Sequence, residues 1–101
     1  MKEPMNSPQD CTTIEEVRLA IDAIDQEIIA ALSRRFAYVK TITRFKRTEA
    51  EIQAPARFAS VIETRRAWAQ QAGLEPDVIE QMYRHLIAHF IDVERAELNS
   101  R

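Results

Sequence analysis

The chain has 101 residues, of which 46% are hydrophobic and 30% charged, so it suits one compact domain with a modest core and is too short for a two-domain enzyme. Its single glycine and four prolines leave few residues for hairpin turns, which nearly excludes an all-β domain. A formal net charge of −2 argues against bulk affinity for nucleic acid.

The sequence lacks the usual features of secreted and membrane proteins. Its single cysteine, Cys11, has no partner for an internal disulfide, and the first residues contain no apolar run typical of a signal peptide. Charged residues interrupt every stretch that approaches the roughly 18 apolar residues of a membrane span. We therefore expect a cytoplasmic protein that has neither a membrane nor a nucleic acid as its partner.

The first predicted helix is unusually long. Thr13 and Glu16 stand at the spacing of a capping box, which indicates a helix start. Apolar residues then recur at spacings of three and four, with no glycine or proline before Pro55: Ile14, Val17, Ile21, Ile24, Ile28, Ala31, Tyr38, Ile42 and Phe45. A helix from Thr13 to about Glu49 would be about 55 Å long, whereas a globule of this size has a radius of gyration of only about 13 Å. The distal apolar stripe therefore predicts an obligate, intertwined homodimer.

Two further helices follow the first. Pro55 suits a first helical turn and Gly73 suits a C-terminal cap, so the second helix is predicted over residues 55–72. Pro76 then starts a third helix, which is predicted to continue to about Leu98.

The stretch 48–54 has no helical periodicity and is predicted to be a loop between the first two helices. The predicted fold is therefore all-α, with three helices per protomer and one very long N-terminal helix. Residues 1–12 are predicted to form an N-terminal arm, and residues 13–101 a single helical domain.

Two cations interrupt the apolar face of the first helix. Arg35 occupies a position where the series requires an apolar residue, and Lys46 lies eleven residues later. On a continuous helix that spacing places Lys46 about 20° around the axis and about 16 Å along it from Arg35. An unpaired buried cation is costly, so each needs an acidic partner or an anionic ligand. Internal carboxylates such as Asp25 or Glu94 are one solution, and an anion pocket between helices is another.

A run of basic residues favours the anion pocket. Between positions 34 and 48 the chain has no acid and these cations: Arg34, Arg35, Lys40, Arg44, Lys46 and Arg47. A solvated basic face that binds RNA is a third interpretation. The run lacks the interleaved exposed aromatics of a stacking platform, however, so RNA binding is the weaker hypothesis.

Other chemistries find less support in the sequence. His85 and His89 stand four apart on the third helix, a spacing that can place two imidazoles on one metal, but the remaining ligands are missing. Cys11 has no nearby histidine that would activate it as a nucleophile. The single glycine excludes a glycine-rich phosphate loop. We therefore predict no metal, no cofactor and no covalent nucleophile.

Four short motifs occur in a fixed order along the chain. They are V-R-x-x-I-D-x-I-D from Val17 to Asp25, L-x-R-R-x-x-Y-V-K from Leu32 to Lys40, R-F-K from Arg44 to Lys46, and A-P-x-R from Ala54 to Arg57. In this order and spacing they resemble the all-helical chorismate mutase family, and most closely its isochorismate-pyruvate lyases of salicylate and siderophore biosynthesis. The similarity extends from Asp10 to Glu94, which is nearly the whole chain.

The resemblance implies a dimer of three-helix protomers with two equivalent active sites and a small-molecule substrate. It implies that Arg35 and Arg18 bind the two carboxylates of the substrate, with Arg18 supplied by the partner protomer. Lys46 would donate to the ether oxygen and a carboxylate, and Arg57 would support the pocket. The family's reactions are pericyclic, so they need positioning and positive charge rather than a nucleophile.

Two departures from the family pattern bear on the reaction. Mutases of the family commonly carry acids at the positions of Ala54 and Phe58, where they hold the C4 hydroxyl of chorismate, so these residues favour the lyase. Glu94 stands where the family usually has a glutamine that donates to the ether oxygen, so Glu94 is expected to act in its protonated form. Activity should therefore fall as rising pH ionises Glu94.

The favoured function is thus conversion of isochorismate to salicylate and pyruvate, with a secondary chorismate mutase activity. One alternative is a chorismate mutase that makes prephenate. Another is a non-catalytic helical dimer that binds an anionic metabolite in the same basic pocket. The stretch 48–54 is expected to close over the substrate.

Overall fold

A computed structural model describes residues 7–100, and within this range the chain forms helices and connecting turns with no strand. The α-helices are α1 (Ile14–Ile42), α2 (Glu49–Gln53), α3 (Pro55–Gln71) and α4 (Pro76–Asn99), with 3-10 helices at Pro8–Asp10 and Thr43–Phe45. The predicted all-α class with three long helices is confirmed. Residues 1–6 of the predicted N-terminal arm lie outside the described range.

Helix α1 begins as predicted. The Thr13 hydroxyl accepts a hydrogen bond from the backbone N–H of Glu16 at 3.1 Å. The Glu16 carboxylate in turn accepts from the backbone N–H and the hydroxyl of Thr12, at 3.2 and 2.9 Å. These bonds satisfy N–H groups at the start of the helix that have no partner within it.

The predicted end of the first helix near Glu49 is wrong, because α1 stops at Ile42. Thr43 is buried, and its hydroxyl donates to the carbonyl oxygen of Lys40 at 2.6 Å, a local bond that competes with continued α-helix. Lys46 then has extended backbone, with φ −110° and ψ 129°. The predicted helical relation between Arg35 and Lys46 therefore does not hold, and the 29 residues of α1 extend for about 43 Å.

The predicted loop 48–54 is also wrong, since it contains α2. The Thr48 hydroxyl accepts from the backbone N–H of Glu51 at 3.1 Å, and the Glu51 carboxylate accepts from the backbone N–H of Arg47 at 3.0 Å. Ile52 anchors the helix in the core with only 2% of its surface exposed. Ala54 ends α2 in the left-handed region, at φ 41° and ψ 61°, and so turns the chain into α3.

The starts of α3 at Pro55 and of α4 at Pro76 are confirmed. Gly73 has φ +78°, which lets its N–H donate to the carbonyl of Gln70 at 3.1 Å, while the N–H of Leu74 donates to the carbonyl of Ala69 at 2.8 Å. These two bonds form a Schellman cap at the end of α3, as the position of the glycine predicted.

The described residues form two compact units, of which the first ends at Arg35 and the second begins at Phe36. Within the second unit α3 packs on α4. Its buried apolar residues are Ile52, Val61, Ile62, Ala69 and Phe90, and the rings of Phe36 and Phe90 stack with centroids 5.1 Å apart. The prediction of one domain from residue 13 onward stays a prediction.

Helix α1 has no buried residue. Leu32 is half-buried, but seven large apolar side chains before Arg35 are between 39% and 69% exposed: Ile14, Val17, Leu19, Ile21, Ile24, Ile28 and Ile29. Burying an isoleucine side chain stabilises a protein by about 1.5–3 kcal/mol. In the single chain these exposed side chains therefore contribute little of the hydrophobic stabilisation that burial against another surface would give. Across residues 7–100, no helix combines the length and apolarity that crossing a bilayer requires.

Candidate active site

An ion pair between Lys46 and Glu94 lies at the centre of the candidate site. The Lys46 ammonium is 3.2 Å from one carboxylate oxygen of Glu94 and donates to the other at 3.4 Å. The Glu94 side chain is 7% exposed and that of Lys46 is 18% exposed. Lys46 reaches this position because the chain leaves the helical conformation after Phe45, and Glu94 lies on the buried side of α4. Because both charged groups have little contact with water, each depends on the opposite charge of the other for stabilisation.

The other predicted site residues are distributed over both units. Arg57 is exposed in the first turn of α3, in the same unit as Lys46 and Glu94. Arg18 is exposed and Arg35 half-buried on α1, and both belong to the first unit. The structure therefore brings together Lys46 and Glu94, one of the carboxylates that the sequence offered as a partner for Lys46.

A cavity of about 340 Å³ lies within the second unit. It is lined by residues from the end of α2, the start of α3 and the middle of α4: Gln53, Pro55, Phe58, Arg84, Ile87, Ala88 and Ile91. Ile91 and Ile87 stand about one and two turns before Glu94 on α4. The wall of the cavity is mainly apolar, and part of it is formed by residues that share α4 with Glu94.

Phe58 is the predicted selectivity residue that the structure places in this cavity. The Arg84 guanidinium carbon lies 5.3 Å from the Phe58 ring centroid, within the range of a cation–π contact. Ala54, the other selectivity position, joins α2 to α3 between the lining residues Gln53 and Pro55. At position 58 the cavity therefore has an aromatic ring under a cation.

Glu80 holds Arg84 in place and is itself bonded to Arg66. The Arg84 Nε donates to Glu80 at 2.6 Å, and Arg66 donates to the other Glu80 oxygen and to Asp77, both at 2.8 Å. The hydrogen bond from Arg84, followed by that from Arg66, lowers the pKa of the Glu80 carboxyl below its ordinary value. The hydrogen bonds to Asp77 and Glu80 raise the pKa of Arg66. Both shifts favour the charged forms, the carboxylate of Glu80 and the guanidinium of Arg66.

A second ion pair ties α2 to α4 next to the candidate site. Arg95 donates to one Glu49 oxygen from Nε at 2.9 Å and from a terminal nitrogen at 2.6 Å. These hydrogen bonds, with a smaller contribution from Gln53, lower the pKa of the Glu49 carboxyl, and the bond to Glu49 raises the pKa of Arg95. Glu49 begins α2 three residues after Lys46, and Arg95 is the residue after Glu94. The Arg95–Glu49 pair is therefore close in sequence to both partners of the buried ion pair.

His85 and His89 are both exposed on α4. Among residues 7–100, no three side chains of histidine, cysteine, aspartate or glutamate come together as metal ligands. Cys11 is half-buried as a free thiol close to the start of α1.

Comparison with known proteins decides the family. A family model described as chorismate mutase type II matches residues 17–95. The chain belongs to the chorismate mutase type II family. The matched range includes Arg18, Arg35, Lys46, Arg57 and Glu94, and it confirms the resemblance that the four motifs indicated.

Two curated relatives lie at different distances. The chain is 42% identical over 87 residues to the isochorismate pyruvate lyase of Pseudomonas aeruginosa, covering 86% of both proteins. It is 29% identical over 75 residues to the T-protein of Haemophilus influenzae, covering 73% of this chain and 20% of the relative. The similarity to the lyase therefore extends over most of both chains, whereas the similarity to the T-protein covers only 20% of that protein.

Sequence reasoning missed two features of the candidate site. Thr48 and Glu51 stand at capping-box spacing, which is a sequence signal for the start of α2. The absence of helical hydrophobic periodicity after Thr48 led instead to the prediction of a loop. Arg84 had no such signal, because its place beside Phe58 depends on how α3 packs against α4.

Proposed function

We propose that this chain is an isochorismate-pyruvate lyase, which converts isochorismate to salicylate and pyruvate and has a secondary chorismate mutase activity. The observation that carries the proposal is Phe58, which lines the cavity in the same unit as the Lys46–Glu94 pair. Phe58 has no oxygen that could accept a hydrogen bond from the C4 hydroxyl of chorismate. The 42% identity to the Pseudomonas lyase over most of both chains supports the same assignment.

The reaction needs positioning and charge rather than a nucleophile. Salicylate and pyruvate form when the ether C–O bond breaks and one ring hydrogen moves to the methylene carbon of the enolpyruvyl group. The ring becomes aromatic and the methylene becomes the methyl group of pyruvate, so atoms and electrons balance without a co-reactant. A cavity with an apolar wall can hold the side chain folded over the ring, which is the geometry that this transfer requires.

Lys46 supplies positive charge where the breaking bond becomes electron-rich. Its ammonium is already held in position by Glu94, at 3.2 Å. A dianionic substrate that binds there competes with the Glu94 carboxylate for Lys46 and favours protonation of Glu94. The protonated carboxyl then donates to the ether oxygen instead of repelling it. We therefore assign Lys46 and Glu94 as the catalytic pair.

Arginines hold the two carboxylates of the substrate in this proposal. Arg35 binds one carboxylate from α1 of its own chain, Arg18 of the second protomer binds the other, and Arg57 supports the pocket from α3. Arginine suits this role because its planar fork can bind a carboxylate through two hydrogen bonds and keeps its charge. The proposed dimer is supported by the apolar stripe of α1, in which Ile14, Val17, Ile21, Ile24 and Ile28 are between 39% and 57% exposed in the single chain.

Mixing two inactive variants tests the shared site. In Arg18→Ala the protomer keeps Arg35, and in Arg35→Ala it keeps Arg18, so each homodimer lacks one arginine in both sites. After unfolding and refolding together, half of the dimers are mixed and each has one intact site, so about a quarter of the wild-type activity should return. No recovery, or a monomer by light scattering, would overturn the shared site.

The family model favours a second candidate, a chorismate mutase that makes prephenate. The third interpretation is a non-catalytic dimer that binds an anionic metabolite. Lys46→Ala separates catalysis from structure: the enzyme should lose at least about a hundredfold in kcat while remaining a folded dimer. The control variant is Arg47→Ala, which removes the exposed positive charge that follows Lys46 in the sequence. If Lys46→Ala fails to fold and the wild type turns over neither substrate, the results favour the non-catalytic interpretation.

A further inference from the structure

The cavity contains one charged side chain whose role the proposed function does not assign. Of the residues that line it, Arg84 alone carries a charge, and the others are apolar apart from the amide of Gln53. The Arg84 side chain is 47% exposed, so its guanidinium is accessible while it lies over the Phe58 ring. Arg84 therefore places a cation at the edge of an apolar cavity.

The orientation of this cation is fixed before any ligand arrives. Nε donates to Glu80 at 2.6 Å, and Phe58 supports the plane of the guanidinium at 5.3 Å. Within residues 7–100 the two terminal nitrogens of Arg84 make no hydrogen bond, so they remain available to a ligand. Because Arg66 also pairs with Glu80, that carboxylate is shared between two cations and compensates Arg84 only partly.

The cavity has one positive group, Arg84, at its edge and a mainly apolar wall. Ile87, Ala88 and Ile91 follow Arg84 along α4 and form part of that wall. A ligand that matches this lining has an apolar ring with an anionic group attached to it, which describes a cyclic carboxylate.

We propose that Arg84 is a further substrate-binding residue, which binds the carboxylate on the ring of the substrate through its terminal nitrogens. This inference rests on the proposed function, because it takes the cavity as the substrate site. A carboxylate has enough lone pairs for Arg84 in addition to another arginine. Arg84 thus anchors the ring end, while Lys46 acts at the ether oxygen.

The test is Arg84→Met, which keeps the aliphatic contact with Phe58 and removes the charge. We expect KM for isochorismate to rise about fivefold with kcat changed less than about twofold, as for a partly exposed charged contact. Arg84→Lys restores the charge without the fork and should recover part of the loss. The KM of wild-type protein should also rise more steeply with salt than that of Arg84→Met.

Arg65→Met provides the matched control. Arg65 also stacks on aromatic rings, at 4.6 Å from the Trp68 centroid and 5.7 Å from that of Tyr83, but it does not line the cavity. This variant loses the same charge and the same kind of contact, so its KM should stay within about twofold of wild type. An equal rise of KM in both variants would overturn the proposal, since it would show an effect of net charge.

Titration with salicylate separates this inference from the proposed function. Salicylate carries a carboxylate on a ring, and its fluorescence reports binding without turnover. If wild type binds salicylate and Arg84→Met binds it about fivefold more weakly, Arg84 is a carboxylate ligand even in a protein that turns over neither substrate. If wild type is active but Arg84→Met has unchanged KM and unchanged salicylate affinity, the role of Arg84 is overturned and the proposed function stands.

Discussion

Replacing Glu94 by glutamine tests the proposed catalytic pair. The Glu94 carboxylate lies 3.2 and 3.4 Å from the Lys46 ammonium, with 7% of its side chain exposed. The amide of glutamine has nearly the same shape and can accept from Lys46 through its oxygen. It can also donate to the ether oxygen at every pH, whereas the carboxyl donates only when protonated. The substitution therefore changes the proton requirement more than the geometry.

The structure sets the size of two effects. At 3.2 Å, opposite unit charges attract by about 5 kcal/mol in an effective dielectric of about 20, and desolvation of the two groups offsets most of this. Because Glu94→Gln leaves the Lys46 ammonium without its counter-charge, we expect the free energy of unfolding to fall by about 3 kcal/mol. If one proton on Glu94 is required, kcat/KM of the wild type should fall up to about tenfold per pH unit on the alkaline side.

The assay measures initial rates of salicylate formation from about pH 5 to about pH 8 at constant ionic strength. Glu94→Gln should have a flat profile over this range and exceed the wild type at its alkaline end. Glu97→Gln removes the charge of an exposed carboxylate on the same helix and should keep the wild-type slope. Identical profiles for Glu94→Gln and wild type would remove Glu94 from the mechanism.

Four further substitutions test the surroundings of the site. Phe58→Glu restores an acceptor for a ring hydroxyl and should shift the ratio of kcat/KM values toward chorismate; an unchanged ratio would show that this position does not set selectivity. Ala54→Gly relieves a left-handed backbone at φ 41° and should raise the free energy of unfolding by about 1 kcal/mol in urea titrations, so a lower midpoint would contradict the strain. Ile52→Ala removes a side chain that is 2% exposed and should cost about 3 kcal/mol; a loss below about 1 kcal/mol would contradict its burial. Glu49→Gln should destabilise at about pH 7, and the gap should close as pH falls below 4.5, because Arg95 lowers the pKa of this carboxyl and its contribution disappears once it is protonated; a gap independent of pH would refute this.

Local signals in the sequence predicted much of the fold. The capping residues Thr13 and Glu16, the prolines at the starts of α3 and α4, and Gly73 act through bonds within a few residues, so they are readable without tertiary context. The end of α1 is different, since apolar spacing continues to Phe45 although the α-helix stops at Ile42. Periodicity records which side chains share a face and does not record where the backbone changes conformation.

The candidate site was predictable in part. Lys46 was singled out as a cation on the predicted apolar face, Arg57 and Glu94 were assigned through the family resemblance, and the sequence also offered Glu94 as a partner for Lys46. Arg84 was not predictable, because its contact with Phe58 and its bond to Glu80 form only when α3 and α4 pack. Tertiary contacts of this kind leave no local pattern in the sequence.

Parallel turnover measurements on the purified wild-type protein test the central claim most directly. One reaction contains isochorismate and is followed by salicylate fluorescence, and the other contains chorismate and is followed by its loss of absorbance. The proposed function predicts salicylate formation with the higher kcat/KM. Faster conversion of chorismate to prephenate would contradict the lyase assignment, and the absence of turnover with both substrates would contradict an enzymatic role.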